Sequence, residues 1–218
     1  MIIMCCYDSL FDLEINWEAI TACGTVALAI ITISLAFAAI KQLKDIRTNS
    51  AENIIMKQIE FHYKIVEGIK SKEMGQGEDA FKFMYTLLAK SYFSNYDIIR
   101  NDDESIKSNI GIAYSDLHRR HGNLLGHYYR NLYRTFKNIN DTKIKGFNKN
   151  RYAKLVRAQL SEYEILLLFY NCLWVGDDDK FKKLVQDYGL LEGINYDKLL
   201  DRRHDNLYLE TAFGNDFI

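Results

Sequence analysis

Hydrophobic residues form one long uncharged run near the start of the chain and shorter amphipathic segments after it. The run covers residues 19–40, which include no charged side chain. At 1.5 Å per residue, a helix of this length spans roughly 33 Å, close to the ~30 Å hydrocarbon core of a bilayer. The pattern predicts one transmembrane helix at 19–40. Helical periodicity continues beyond it and predicts a stalk helix over residues 41–76.

Charges on the two sides of the run predict its orientation. Residues 1–18 carry acidic but no basic side chains, whereas Lys41, Lys44 and Arg47 follow the run directly. Positive charge favours the cytoplasmic side. We therefore expect a single-pass membrane protein, with residues 1–18 outside the cytoplasm and its C-terminal domain inside. The acidic leading segment and the length of the run argue against a cleaved signal peptide.

Residues 77–218 have the pattern of a cytoplasmic bundle of five to seven helices. Proline is absent from the chain, which removes the strongest helix breaker and favours an all-α fold. Ser161 and Glu164 form a capping-box pattern before a long apolar run. The segments that we expect to be helical are 79–95, 105–118, 126–139, a short one around 151–157, a core helix at 165–175, one beginning at 177–179 and a weak one at 196–202. Breaks are expected at 71–78, 101–104 and 118–122.

The segment 126–139 has two distinct faces when it is drawn as a helix. One carries apolar and aromatic residues, and the other carries a basic stripe at i, i+3, i+7 and i+10: His127, Arg130, Arg134 and Lys137. Such a stripe is either a solvated cationic face or an anion-binding surface. Arg157 and Gln159 precede the capping box. They either tie the central helix to the core helix or, for Arg157 with Arg130 and Arg134, complete an anion site near Ser161.

The composition of the chain limits which partners and cofactors we expect. The net charge of −1 gives the whole molecule no general attraction for nucleic acid, so a nucleic-acid partner is not expected. The four cysteines include no C-x-x-C pair, which disfavours a zinc site and a disulfide framework. Asp177, Asp178 and Asp179 are accounted for by a helix dipole rather than by a metal. We expect no metal and no cofactor.

Several stretches resemble the AbiC-type family of phage abortive infection proteins. The resemblance is carried by GHYYRNLYRTFKNIN at 126–140, RYAKLVRAQLSEYEILLLFYNCL at 151–173 and KFKKLVQDYGLLEGI at 180–194, with weaker likeness at 53–69 and 77–88. The resemblance implies phage defence and an N-terminal membrane anchor, with the lipid bilayer as one partner. A phage component or a second defence protein would be another, and small residues within the predicted span are compatible with homo-oligomers.

Three functions remain open. The first is a membrane-anchored abortive-infection protein that acts by conformational change, self-assembly or partner contact. The second is a metal-independent RNase of the HEPN kind, whose signature Arg120 and His127 match with six intervening residues; His127 would be the acid or base and Arg120 would stabilise the phosphorane. Gly122 and Gly126 lie within the six-residue spacer, which argues against catalysis. The alternative is that His127 has only a structural role, as a half-buried, hydrogen-bonded side chain. The third is a sensor that binds a phosphate-bearing ligand on the basic stripe.

Overall fold

The chain is all-α, as predicted. A computed structural model describes residues 16–94, 103–176 and 180–214. Within these ranges it contains six α-helices, three short 3-10 helices and one two-stranded hairpin. Three predictions fall outside the described residues: the extracytoplasmic placement of residues 1–15, most of the polar break at 101–104, and the helix start at 177–179.

The first compact unit, Met1–Asn49, is described from residue 16 onward by the N-terminal part of α1. Helix α1 is Trp17–Gly68, and Asn16 caps it by accepting a hydrogen bond from the Ala19 N–H at 3.1 Å. Its apolar stretch is fully exposed, with Leu28 at 64% and Phe37 at 70%. By length and composition α1 can cross a membrane.

The second unit, Ser50–Ile218, includes the C-terminal part of α1, from Ser50 to Gly68. Ile55 and His62 are buried in its core, and the helix ends at Gly68. An antiparallel hairpin follows, with β1 at Lys70–Ser71 and β2 at Gly75–Gln76. The stretch expected to be a stalk therefore ends in a hairpin, and the break predicted at 71–78 is confirmed.

Helices α2 and α3 pack on each other along the body. Helix α2 is Glu78–Ser94, and α3 is Asp103–Asp141, a single helix of 39 residues. The break predicted at 118–122 is therefore wrong. A Cβ on Gly122 would lie 2.8 Å from the His118 ring, so this glycine makes room for a side chain instead of ending the helix. The helical cost of glycine, about 1 kcal/mol, is small enough for packing to override.

The core helix of the body is α5, Glu162–Val175. Every side chain from Glu164 to Leu173 is buried, which explains why the sequence is apolar on all faces there. The predicted capping box is present. Helix α4, Lys149–Arg157, precedes α5, and α6, Lys180–Asp187, follows it. Both α2 and α3 pack against α5.

The C-terminal segment closes the body with 3-10 helices at Tyr196–Lys198, Arg202–Leu207 and Glu210–Phe213. The weak helix predicted at 196–202 corresponds to the first of these. His204 is fully buried and lies 3.1 Å from the hydroxyl oxygens of both Tyr92 and Tyr170. Because Tyr170 also accepts a hydrogen bond from the Leu200 N–H at 2.8 Å, this network joins the segment to α2 and α5.

Candidate functional site

The two faces predicted for residues 126–139 are confirmed within α3. The apolar flank enters the core: Tyr128, Leu132, Phe136 and Ile139 have no exposed surface, and Tyr129 is 8% exposed. The stripe of His127, Arg130, Arg134 and Lys137 is exposed throughout. The half-buried His127 of the structural alternative is wrong, because the adjacent tyrosines turn into the core while His127 faces solvent.

Arg157 contacts the segment that follows α6. Its Nη1 lies 2.5 Å from Glu192 Oε2 and donates a hydrogen bond to the Gly189 carbonyl oxygen at 3.1 Å. Arg157 and Glu192 line a small cavity of about 100 Å³, which Arg130 does not line. Arg157 thus ties α4 to the segment after α6, and Gln159 is exposed. Of the predicted anion-site residues, Arg130 and Arg157 line separate cavities.

A larger cavity, which we call the α3–α5 cavity, lies where α3, α5 and α6 meet. Its volume is about 480 Å³. Three aromatic rings, two cations and one amide supply its main lining groups: Tyr129, Tyr133, Phe181, Arg130, Lys180 and Asn171. Gly126 and His118 complete the wall on α3. The sequence identified Arg130 as a candidate binding residue. It did not predict that side chains of α5 and α6 line the same cavity as Arg130.

Fixed contacts hold the walls of the α3–α5 cavity. Tyr114 donates a hydrogen bond to the Tyr129 hydroxyl at 3.0 Å, and burial raises the pKa of Tyr114, so both hydroxyls are neutral at physiological pH. The His118 and Trp174 rings lie 4.6 Å apart, centroid to centroid. Trp174 Nε1 in turn donates to Ser115 Oγ at 3.0 Å. These contacts give the cavity pre-formed walls.

A buried polar contact, missed in the sequence, joins α1 to α5. His62 Nε2 lies 3.4 Å from Glu164 Oε1, and each side chain is almost fully buried. Glu164 Oε2 accepts hydrogen bonds from the Ser161 N–H at 2.9 Å and from the Ser161 hydroxyl at 2.7 Å. Burial raises the pKa of Glu164, but His62 and Ser161 outweigh it and lower the pKa overall.

A sequence signal for this contact exists. Ile55, Ile59, His62 and Val66 follow one helical face at i, i+4, i+7 and i+11, so His62 occupies a position where an apolar residue is expected. A titratable residue on a core-facing stripe needs a polar partner. The sequence around His62 does not identify Glu164 as that partner, because Glu164 lies on a helix far along the chain. The capping box already explains a glutamate at position 164.

Arg120 and His127 lie on the same face of α3, two turns apart, or about 10 Å along the axis. The glycines between them do not interrupt the helix. Arg120 Nη2 lies 3.1 Å from Asp116 Oδ2, so a carboxylate already engages the guanidinium. A phosphate that contacted both residues would have to displace Asp116 from Arg120. It would also have to span the roughly 10 Å between them on a solvent-exposed face of the helix.

Metal ligands are not clustered in the part of the chain that the structure describes. There, no group of three or more His, Cys, Asp or Glu side chains could hold a metal ion. Cys23 is exposed and Cys172 is buried.

The fold and these sites define a class: an all-helical body that follows a helix long and apolar enough to span a membrane. Residues 120–199 match the family model described as putative phage abortive infection protein. This confirms the resemblance seen in the sequence, from the middle of α3 to the first 3-10 helix. The match includes the basic stripe, the capping box and the main lining groups of the α3–α5 cavity. No curated protein and no solved structure matches the chain.

Proposed function

We propose that this protein is a membrane-anchored abortive-infection protein. Residues 19–40 would cross the bacterial inner membrane once, with residues 1–18 outside and residues 41–218 in the cytoplasm. The family match to residues 120–199 supports the defence role. The protein would act by conformational change, self-assembly or contact with a phage or defence partner, and not by catalysis.

The observation that carries the anchor is the exposed apolar stretch of α1. Ile30 and Ile31 are 62% and 53% exposed, and Leu35 is 65% exposed. Leaving such side chains in water costs about 25 cal/mol per Å² of apolar surface, summed over the whole stretch. Hydrocarbon removes this cost. Thr21 and Thr32 also satisfy their hydroxyls within the helix, donating to the carbonyl oxygens of Trp17 at 2.9 Å and Leu28 at 2.7 Å, as a lipid-exposed helix requires.

The contact between His62 and Glu164 is our proposed basis for a conformational change. The C-terminal part of α1 is held in the body by buried Ile55 and His62, and Glu164 lies in the first turn of the core helix α5. A buried polar group that loses its partner without reaching water costs about 1 to 3 kcal/mol, so the paired and separated arrangements would be distinct states. Separation of α1 from α5 would be the change that a phage-derived trigger favours.

Membrane fractionation tests the anchor. Lysine at both Ile30 and Ile31 costs about 5 to 7 kcal/mol at the centre of a span. We expect the wild-type protein to remain in the pellet after an alkaline carbonate wash and the double-lysine variant to be released. The matched control places lysine at Ile46 and Ile54, which are equally exposed at 52% but lie outside the proposed span. Release of the control, or a soluble wild-type protein, contradicts the anchor; a reporter after Ile218 checks the orientation.

The RNase remains a second candidate because one observation favours it. Helix α3 is continuous through Arg120 and His127, so the glycines of the spacer are no obstacle to the signature. Under this alternative, His127→Ala would abolish RNA cleavage and toxicity together. Under the leading proposal, the same variant retains protection.

A further inference from the structure

We propose that the α3–α5 cavity binds a small molecule that combines a planar aromatic ring with an anionic group such as a phosphate or a carboxylate. This inference goes beyond the proposed function and does not depend on the membrane anchor. Within the basic stripe, it gives a ligand-binding role to Arg130. It gives the same role to side chains on α5 and α6, which are not part of the stripe.

The shape of the cavity favours a compact ligand. A volume of about 480 Å³ falls within the range of small-molecule sites. Tyr129, Tyr133 and Phe181 supply flat apolar surface, and the Tyr133 and Phe181 rings lie edge to face with their centroids 5.7 Å apart. Aromatic walls of this kind contact a planar ring by stacking or edge-to-face packing.

The polar groups of the cavity favour negative charge. Arg130 from α3 and Lys180 from α6 bring two exposed cations to the same cavity, and no acidic side chain is among the described lining residues. Guanidinium and ammonium groups are the usual partners of phosphate and carboxylate. Asn171, only 7% exposed, adds an amide that can donate or accept. Residues 177–179 are aspartates outside the described ranges, so the preference for an anionic probe is the decisive measurement.

Gly126 keeps the cavity open. A Cβ at this position would meet only Arg130 Nη2, at an ordinary 3.8 Å. Glycine within a helix costs about 1 kcal/mol relative to alanine. At Gly122 the space of a Cβ is taken by the His118 ring, but at Gly126 the space belongs to the cavity. A larger side chain at 126 would therefore fill the site without straining the helix.

The test uses the full-length protein in lipid nanodiscs and three probes: 1-naphthyl phosphate, 1-naphthol and inorganic phosphate. Binding is measured by equilibrium dialysis, and nanodiscs without protein correct for partitioning of the probes into lipid. Gly126→Leu fills the cavity, and Gly111→Leu makes the same change on α3 where a Cβ has open space. Arg130→Gln removes a lining cation, and Arg134→Gln removes an exposed cation one turn away.

We expect saturable binding of 1-naphthyl phosphate below about 1 mM, at least tenfold tighter than binding of either 1-naphthol or inorganic phosphate. Gly126→Leu should abolish it and Arg130→Gln should weaken it about tenfold or more, whereas Gly111→Leu and Arg134→Gln should leave it unchanged. The proposal is overturned if 1-naphthyl phosphate does not bind, if 1-naphthol binds equally well, or if Gly126→Leu binds like the wild type. A folded Gly126→Leu protein is verified by its circular dichroism melt.

Discussion

His62 of α1 and Glu164 of α5 meet in the core of the body, with 3.4 Å between His62 Nε2 and Glu164 Oε1. The same carboxylate completes the capping box with Ser161. One side chain therefore both caps the core helix and contacts α1. The His62 ring also lies 5.1 Å from the Tyr128 ring of α3, measured between centroids. Three helices of the body therefore converge on this contact.

Substitutions at Glu164 separate its two roles. Glu164→Ala removes the buried polar partner of His62 and the cap, and we expect a loss of about 2 to 4 kcal/mol in the free energy of unfolding. Glu164→Gln keeps a capping-box acceptor, so it should be less destabilising than alanine by about 1 kcal/mol. Thermal melts followed by circular dichroism measure both.

The control for this comparison is Glu78→Gln, an exposed glutamate in the first turn of α2. It should change stability little, because it removes only a favourable dipole contact of a few tenths of a kcal/mol. If Glu164→Gln behaves like Glu78→Gln, then the contact with His62 contributes nothing to the fold and our account of it is incorrect.

Acid should destabilise the body through His204. Burial lowers the pKa of His204 to about 4, whereas the unfolded chain titrates near 6.5. The native state therefore holds the neutral ring, and its stabilisation is complete above pH 6.5 and lost as the pH falls from 6.5 to 4. The shift corresponds to about 3 kcal/mol at most.

His204→Gln provides the comparison for this pH dependence. It removes the titrating group, so the difference in melting temperature between wild type and variant should shrink steadily between pH 7 and pH 4.5. Asp201, whose pKa the neighbouring Arg203 lowers to about 2, titrates below this window. Parallel curves for the two proteins would show that His204 is not the group responsible.

Two glycines of α3 should respond oppositely to alanine. At Gly122 a Cβ would lie 2.8 Å from the His118 ring, which packs against the Trp174 ring, so the His118 ring must move. At Gly111 nothing lies within 4 Å of a Cβ. We expect Gly111→Ala to stabilise by about 0.5 to 1 kcal/mol and Gly122→Ala to destabilise by about 1 to 2 kcal/mol. Equal gains at both positions would mean that the contact between the His118 and Trp174 rings does not constrain position 122.

The parts of the fold that follow from local patterns could be predicted from the sequence. Helix α5 has both a capping box and an apolar run, and α1 has an uncharged run bounded by charges. The break predicted at 118–122 was wrong because the sequence shows only the cost of placing Gly122 in a helix. It does not show that Gly122 makes room for the His118 ring, which packs against Trp174 on another helix. His62 with Glu164, and Arg130 with Lys180, are likewise pairs that only tertiary packing brings together.

The RNase alternative is tested by His127→Ala. His127 is exposed, and Arg120 is engaged by Asp116, so neither is held in catalytic geometry. We expect the variant to protect cells from phage as well as the wild type does, with RNA in infected cells unchanged between the two. Loss of protection together with loss of RNA cleavage would favour catalysis. His121→Ala, a substitution of the same kind on α3 at a residue that does not line the α3–α5 cavity, controls for the loss of an imidazole.

Efficiency of plating tests the central claim most directly. Phages from a diverse panel are plated on cells that express the wild-type protein or the variant with lysine at Ile30 and Ile31. The account predicts fewer plaques for at least one phage with the wild type, no reduction with the span variant, and full protection with the Ile46 and Ile54 control. Equal protection by a span variant that has been released from the membrane would contradict it.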